Sequence, residues 1–268
     1  MNKSKHNSNN INFSKIKSND RLIGSNIIHL SMVDSTMNYA WGLFKDKKYD
    51  TGTVVIADEQ HNGRGRKGAK WYSKNAEDIL CSIMLRSNHR NLTDLLVIAS
   101  LSVVYTLEEI LLENEISIKW PNDVHVDGKK IAGVIAESSS ETYNDLSKAV
   151  VGIGLNVNLK RSSYEFLPVS TTSVNELLQC KIDRIKIFES LIDNFDILYK
   201  KLTSNHNLIP EWKKHLNSIG KKISFRLNKS NQIKIALVED VDDLGRLIVV
   251  DENANRWCIF DQSIEFLD

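Results

Sequence analysis

Apolar and polar positions recur along this chain in two periods, and the change between them marks out strands and helices. Ile27–Val33 alternates loosely and reads as a strand. Asp34-Ser35-Thr36 then supplies N-cap formers for a helical stretch over Met37–Lys45. Thr53–Ala57 is a short β-branched run with the length and composition of a buried strand, and Ile79–Leu85 is another. Between them, residues 58–76 are polar and glycine-rich, with neither period. Asn91, with Asp94 three residues on, caps a long helix to about Glu113; its apolar face is Leu92, Leu95, Leu96, Ala99, Val103, Leu107 and Ile110. Further strands are predicted at Ile116–Trp120, Val124–Val126, Lys130–Glu137 and Lys148–Asn156. Ser173-x-x-Glu176 is a capping box for a short helix, Arg184–Lys201 forms a longer one, and Pro210 suits the first turn of a last helix, Glu211–Leu216.

After Gly220 the pattern changes. Lys221–Leu227, Ile233–Val238, Leu247–Val250 and Trp257–Phe260 are short strands at close spacing, with polar turns such as Asp243-Leu244-Gly245 between them. Four or five short strands in so few residues read as a small β-barrel appended to an α+β domain. The expected organisation is a disordered polar tail over 1–22, a main domain over 23–218 and the barrel over 219–268. The tail is Asn/Ser/Lys-rich and lacks the apolar core of a secretory signal. Met1–Arg21 is also too short and too polar to form a helix-turn-helix with its own core.

Composition narrows the class. With 268 residues, 41% hydrophobic and 26% charged, the chain has the make-up of an ordinary globular protein. Thirty-five basic residues balance 34 acidic ones, which excludes a protein that coats nucleic acid or an anionic membrane. The three cysteines, Cys81, Cys180 and Cys258, are widely spread, giving neither a disulfide framework nor a zinc-ligand spacing. No stretch is long and apolar enough to predict a membrane span. Together these point to a reducing compartment, the cytoplasm, with no protein-bound metal site.

Three segments carry candidate chemistry. Gly63-Arg64-Gly65-Arg66-Lys67-Gly68 has the spacing of a dinucleotide fingerprint, but the residues after it show no helical face, and it lacks a Gly-Lys-Ser/Thr ending. What remains is a loop whose glycines leave backbone N–H groups open to an oxyanion, with Arg64, Arg66, Lys67 and Lys70 concentrating cations around it. A solvated basic loop is the bland alternative. Lys119-Trp120-Pro121-Asn122-Asp123 is a stiff turn, followed seven residues later by Lys130 entering an apolar strand. Lys130 is either a solvated edge residue or a cation facing a pocket for an anion. Val151–Asn158 carries Gly152 and Gly154 within a strand, marking either a β-bulge or close approach by another group.

In this order the segments resemble the biotin protein ligases. The resemblance rests on Asp34-Ser35-Thr36, Gln60-x-x-Gly63-Arg64-Gly65-Arg66-x-Gly68-x-x-Trp71, Lys119-Trp120-Pro121-Asn122-Asp123 with Lys130-x-Ala132-Gly133, and Gly152-x-Gly154-x-Asn156, and it runs from about Ile27 to the C-terminus. It implies a class II synthetase-like catalytic domain, a mixed β-sheet flanked by helices, followed by an SH3-like C-terminal domain. The implied reaction joins biotin to ATP with Mg²⁺ present, forms biotinyl-5′-AMP, and passes the biotinyl group to a lysine of a biotin carboxyl carrier domain. Ser35, Thr36, Met37, Gln60, Gly63, Arg64, Gly65, Arg66 and Lys130 are the implied biotin contacts. Arg64, Arg66, Lys67, Trp71, Lys119, Asn122, Asp123 and Asn156 are the implied ATP and adenylate contacts, with Lys130, Arg66 and Asp123 closest to the chemistry.

Where such enzymes commonly carry Asn after Ser-Thr, Met37 stands here, and Ala69 replaces a basic or polar residue after the loop's last glycine. Members that also repress transcription carry an N-terminal winged helix, so the expectation here is a monofunctional ligase without nucleic-acid or membrane partners. Dimerisation through a sheet edge is common in the family. A lipoate–protein ligase, using the same adenylation chemistry, is the alternative; Gln60 and the Ser35-Thr36 pair argue against it, since lipoate has no urea to hydrogen-bond.

Overall fold

A computed structural model describes residues 13, 16, 20–46, 48–73, 76–86, 92–139, 148–164, 167–227, 232–260 and 264–266. The first strand, β1 (Asn26–Val33), leads through helix α1 (Thr36–Leu43) to β2 (Thr53–Gln60). Strand β3 (Ile79–Arg86), helix α2 (Leu92–Glu108), and strands β4 (Ile116–Lys119), β5 (Asp123–Val126), β6 (Lys129–Ser139) and β7 (Lys148–Leu155) follow. Seven strands form one sheet in the order β1-β2-β3-β7-β6-β5-β4. Only β1 and β2 run parallel, so the sheet is mixed, as expected.

Alternation along each strand divides the sheet's two faces. Val54 and Ile56 of β2, with Val151 and Ile153 of β7, join the main core beneath α2 and the long helix α4 (Arg184–Thr203). Val55, Met84 and Val150 face the other way and form a smaller cluster with Met37 and Ala40 of α1 and with Phe44 just past its end. The capping reading holds at the Ser173 helix, while at α1 the Ser35 side chain makes no cap bond; the longer helix has a cap, Asp183, that the sequence reading did not single out. Ser173 Oγ accepts from the Glu176 amide at 3.2 Å and opens α3 (Val174–Leu178), and Asp183 accepts from the Ile185 amide at 2.9 Å to open α4. The α2 helix ends earlier than its apolar pattern suggests: past Glu108 the Ile110 amide bonds back to Leu107, tightening the last turn. Asn91, its expected cap, lies outside the described residues. The last helix, α5 (Ile209–Lys213), starts two residues before the expected Glu211, with Pro210 in its first turn.

The C-terminal strands β8 (Lys222–Leu227), β9 (Ile233–Val241), β10 (Leu247–Val250), β11 (Arg256–Ile259) and β12 (Ile264–Phe266) form a five-stranded antiparallel sheet in the order β11-β10-β9-β8-β12. Strand β12 gave no distinct signal in the sequence. This small barrel-like unit shares the main core through Phe225, Val238 and Leu247. Trp120 bolts the two sheets together, its buried Nε1 donating to the Gly245 carbonyl at 2.9 Å.

One expectation needs correction. The stretch read as a disordered polar tail contains Phe13 and Ile16, both buried in the main core. Phe13 stacks edge-on against His29 and Phe188, with ring centroids 5.2 Å away in each case. The surrounding Asn, Ser and Lys residues conceal these two apolar anchors in any composition-based reading.

Asp78 enters β3 fully buried. Its Oδ1 accepts from the Val157 and Leu159 amides, at 2.8 and 3.3 Å, while Oδ2 has no hydrogen-bond partner among the described residues. Desolvation pushes the carboxyl up to about 7, so the folded state holds a proton that the unfolded chain releases near its ordinary value of 3.8. The resulting stabilisation is complete below about pH 4 and is lost as the pH rises to about 7. Urea unfolding from pH 4 to pH 8 should therefore show wild type losing stability relative to Asp78→Asn across this window. A pH-independent difference between the two proteins would contradict a protonated Asp78.

Candidate active site

The α1 face of the sheet holds a cavity of about 220 Å³ between α1, the ends of β5–β7 and the glycine-rich segment. Its floor is backbone. The register of β7 with both β3 and β6 runs unbroken through Gly152 and Gly154, so neither glycine marks a bulge. Both serve close approach instead. A Cβ on Gly154 would lie 2.5 Å from the Trp71 ring, one on Gly133 would lie 3.1 Å from it, and one on Gly152 would lie 2.8 Å from Met37 Sδ. Trp71 is thus seated on bare sheet.

A bulge does occur one strand away. Ala132 pairs with Val124 but Lys130 with His125, leaving Ile131 as the extra residue of β6. Ile131 enters the main core, and Lys130 joins Gly133 and Ile135 on the cavity wall. Strict alternation from Gly133 would have put Lys130 on the opposite face. The solvated-edge reading of Lys130 therefore fails: its Nζ donates to Asp123 Oδ2 at 2.7 Å and lies 5.7 Å from the Trp71 ring centroid.

The glycine-rich segment is a small hairpin rather than an open nest. Trp71 donates its amide to the Gly63 carbonyl at 3.0 Å, Arg64 and Lys70 form an antiparallel bridge, and Gly65 donates to Ala69 at 2.7 Å. The Gly65 amide is consequently not open to an oxyanion, which corrects that part of the sequence reading. A single 3₁₀ turn over Arg66–Gly68 closes the hairpin, with Lys67 and Gly68 both at positive φ, 52° and 80°. Only Gly68 adopts that conformation without a Cβ penalty.

Arg66 reaches across the cavity and donates to Asn122 Oδ1. Asn122 is itself fixed, its Nδ2 donating to the Val134 carbonyl at 2.7 Å. Burial disfavours the charged form of Arg66, and the nearby Asp123 carboxylate supports it. Four cations, Arg64, Arg66, Lys70 and Lys130, line the cavity against one carboxylate, Asp123, so it favours an anionic ligand.

A neutral polar set occupies the same wall. Gln60 Oε1 accepts from the Thr36 amide at 2.8 Å and from Thr36 Oγ1 at 3.1 Å, and Ser82 Oγ donates to Thr36 Oγ1 at 2.8 Å. With its carbonyl engaged, Gln60 presents its NH₂ group as a donor. Ser35 and Met37 complete this wall at the start of α1.

Of the residues singled out from the sequence, Ser35, Thr36, Met37, Gln60, Arg64, Gly65, Arg66, Trp71, Asn122, Asp123 and Lys130 line this cavity. Gly63 borders a neighbouring cavity, which shares Gln60, Lys70 and Trp71 with the first. Lys67 is exposed at the hairpin tip, and Lys119 is exposed at the end of β4. Neither lines the main cavity, and nor does Asn156, which is buried and ties β7 to the 171–174 segment through the Thr172 carbonyl at 3.0 Å. Trp120, crowded into the same turn as Asp123, faces the C-terminal sheet instead. The sequence reading missed Ile135, whose shared parity with Gly133 was the available signal, and Cys81. Burial pushes the Cys81 thiol up to about 12, so it is a wall and not a nucleophile.

Substituting Gly154→Ala should overpack the Trp71 seat and destabilise the protein by about 1–3 kcal/mol. In urea unfolding, adding Trp71→Leu should recover part of that loss. Equal losses with and without the indole would show that the ring does not rest there.

The fold and the motifs have known counterparts. Residues 30–156 match the biotin/lipoate A/B protein ligase family. The bifunctional ligase/repressor BirA of Bacillus subtilis is 28% identical over 250 residues, covering 91% of this chain and 75% of that protein. The biotin–[acetyl-CoA-carboxylase] ligase of Mycobacterium tuberculosis is 28% identical over 202 residues, covering 73% and 72%. Among solved structures, the biotin protein ligase of Aquifex aeolicus in complex with biotin and ATP superposes with a TM-score of 0.73 at 26% identity, covering 90% of this chain and 98% of that one. Fold, motif order and family match thus agree, and residues 30–156 of this chain are a biotin/lipoate A/B protein ligase family domain.

Proposed function

We propose that this protein is an ATP-dependent biotin–protein ligase that acts through biotinyl-5′-AMP. The observation that carries the reading is the presence, in one cavity, of the Thr36–Gln60 hydrogen-bonding set and the Lys130–Asp123 pair beneath an arginine-bearing hairpin. The first set suits a ureido ring: a buried urea left without partners costs about 1–3 kcal/mol for each missing hydrogen bond. Gln60 Nε2 would donate to the urea oxygen, with Ser35 and Thr36 supplying further polar contacts and Met37 an apolar wall. Trp71 would pack along the ligand's aliphatic tail.

Lys130 and Arg66 draw two anions together. A biotin carboxylate oxygen attacks the α-phosphorus of ATP, the bond to the β-phosphate oxygen breaks, and pyrophosphate leaves. The two cations offset charge that would otherwise hold carboxylate and phosphate apart. The hairpin then shields a mixed anhydride that water would hydrolyse. In the second step the ε-amine of an acceptor lysine attacks the acyl carbon, AMP departs with the bonding electrons, and the amine gives up a proton. Asp123, fixed by Lys130, orients that amine.

The site also fits magnesium entering with the nucleotide. Among the described residues no cluster of three His, Cys, Asp or Glu could hold a metal ion, and Asp123 is the one carboxylate lining the cavity. Magnesium held mainly by substrate phosphates and water needs no more than one or two carboxylates. Asp123 would be its protein ligand, and the ion would supply further neutralisation of the triphosphate. The acceptor is a carrier domain of a carboxylase, and a reaction consuming ATP on such a partner belongs in the cytoplasm.

Mass spectrometry of a carrier domain incubated with the protein, ATP, magnesium and either biotin or lipoate tests the reading. A gain of one biotinyl group is expected. A lipoyl gain, or none, overturns it. Lys130→Ala should lower single-turnover adenylate formation by about a hundredfold or more while the melting temperature stays near wild type, because the lysine is half-exposed. A wild-type rate would remove Lys130 from the chemistry.

A further inference from the structure

Arg64 and Arg66 stand two residues apart on the same hairpin, yet the protein treats them differently. Arg66 meets a neutral amide, Asn122. Arg64 meets a carboxylate: its Nη1 lies 3.1 Å from Glu137 Oε1, and its Nη2 donates to Glu137 Oε2 at 3.2 Å. Two near-parallel contacts from one guanidinium to one carboxylate combine charge with fixed orientation. Glu137 Oε2 also accepts from Trp41 Nε1 at 2.9 Å, and the Trp41 ring packs on Phe44 with centroids 5.3 Å apart. One carboxylate on β6 therefore gathers the hairpin on one side and α1 on the other.

We propose that Glu137 is a positioning residue: a latch that holds the Gly63–Trp71 hairpin closed against α1 and the sheet before any ligand arrives. Arg64 acts through this latch and not as a phosphate ligand. The hairpin's own bonds, Gly65 to Ala69 and Trp71 to Gly63, fix its shape but not its place. Its place comes from external ties that include Trp71 on the glycine floor, Arg66 on Asn122, and Arg64 on Glu137. Of these, only the Glu137 tie joins the hairpin to α1, whose first turn carries Ser35, Thr36 and Met37. A phosphate at Arg64 would have to sit beside the Glu137 carboxylate and be repelled by it. Arg66, held by Asn122 and set near the Asp123 carboxylate, faces the cavity that an anion would enter. The division of labour is closure by Arg64 and charge reception by Arg66.

The latch is readable without any ligand, whereas its consequence for biotin rests on the ligase reading. Trypsin acting on the ligand-free protein reports hairpin opening at the exposed Lys67. Glu137→Gln should raise the cleavage rate there about fivefold, since a part-exposed ion pair contributes little to global stability and the melting temperature should barely move. Pairing Arg64→Glu with Glu137→Arg should restore slow cleavage that neither single variant shows. In steady-state adenylation, Glu137→Gln and Arg64→Gln should both raise KM for biotin severalfold, with a smaller change in kcat and in KM for ATP. Wild-type cleavage rates in Glu137→Gln, failure of the charge swap to slow cleavage, or a KM effect of Arg64→Gln confined to ATP would each overturn the latch. A wild-type protein that forms no adenylate would instead overturn the ligase reading, and the trypsin result would still decide the latch.

Discussion

The arrangement of the site depends on one steric fact: a tryptophan ring lies on sheet backbone where two strands carry no side chain. Gly133 on β6 and Gly154 on β7 bare the main chain at neighbouring, directly paired positions, and Trp71 occupies the space that two Cβ atoms would fill. That contact seats the base of the hairpin. Once Trp71 is placed, the Gly63–Trp71 and Gly65–Ala69 bonds carry Arg64 and Arg66 outward over the cavity, where side chains from β6 and the β4–β5 turn meet them. Dispersion contacts of an aromatic ring on close-packed backbone are individually small, but they act together and tolerate no extra methyl group.

The two faces of the sheet perform separate tasks. Beneath α2 and α4 the strands present Val, Ile and Leu to a continuous core that extends into the C-terminal sheet. On the α1 side the apolar cluster is small, and the space beyond it is given over to glycines, hydrogen-bonding groups and charge. Stability and chemistry thus depend on different side chains of the same strands.

Charge in the site is organised in pairs. Lys130 with Asp123, Arg64 with Glu137 and Arg66 with Asn122 hold three of the four cavity-lining cations in defined places, so little reorganisation of these is needed when an anion arrives.

The sequence by itself determined the order and type of the elements. Periodicity marked the strands and helices, the capping residue Ser173 stands where α3 begins, and the motif order singled out most of the cavity-lining residues. Local chemistry is sufficient for these, because caps, turns and alternation act over a few residues. What it could not determine were relations between distant segments. Composition hid Phe13 and Ile16, whose burial depends on the space left between β1 and α4. Alternation left Lys130 open between a solvated edge and a pocket, because the bulge that turns it to the cavity is set by the partner strand's register and not by the residues that bulge. Trp120 and Asp123 share one turn and serve different neighbours, and Glu137 acquires a role only when the hairpin returns across β6. Those assignments were decided by tertiary packing, since a side chain's partner is fixed by which surfaces meet in space.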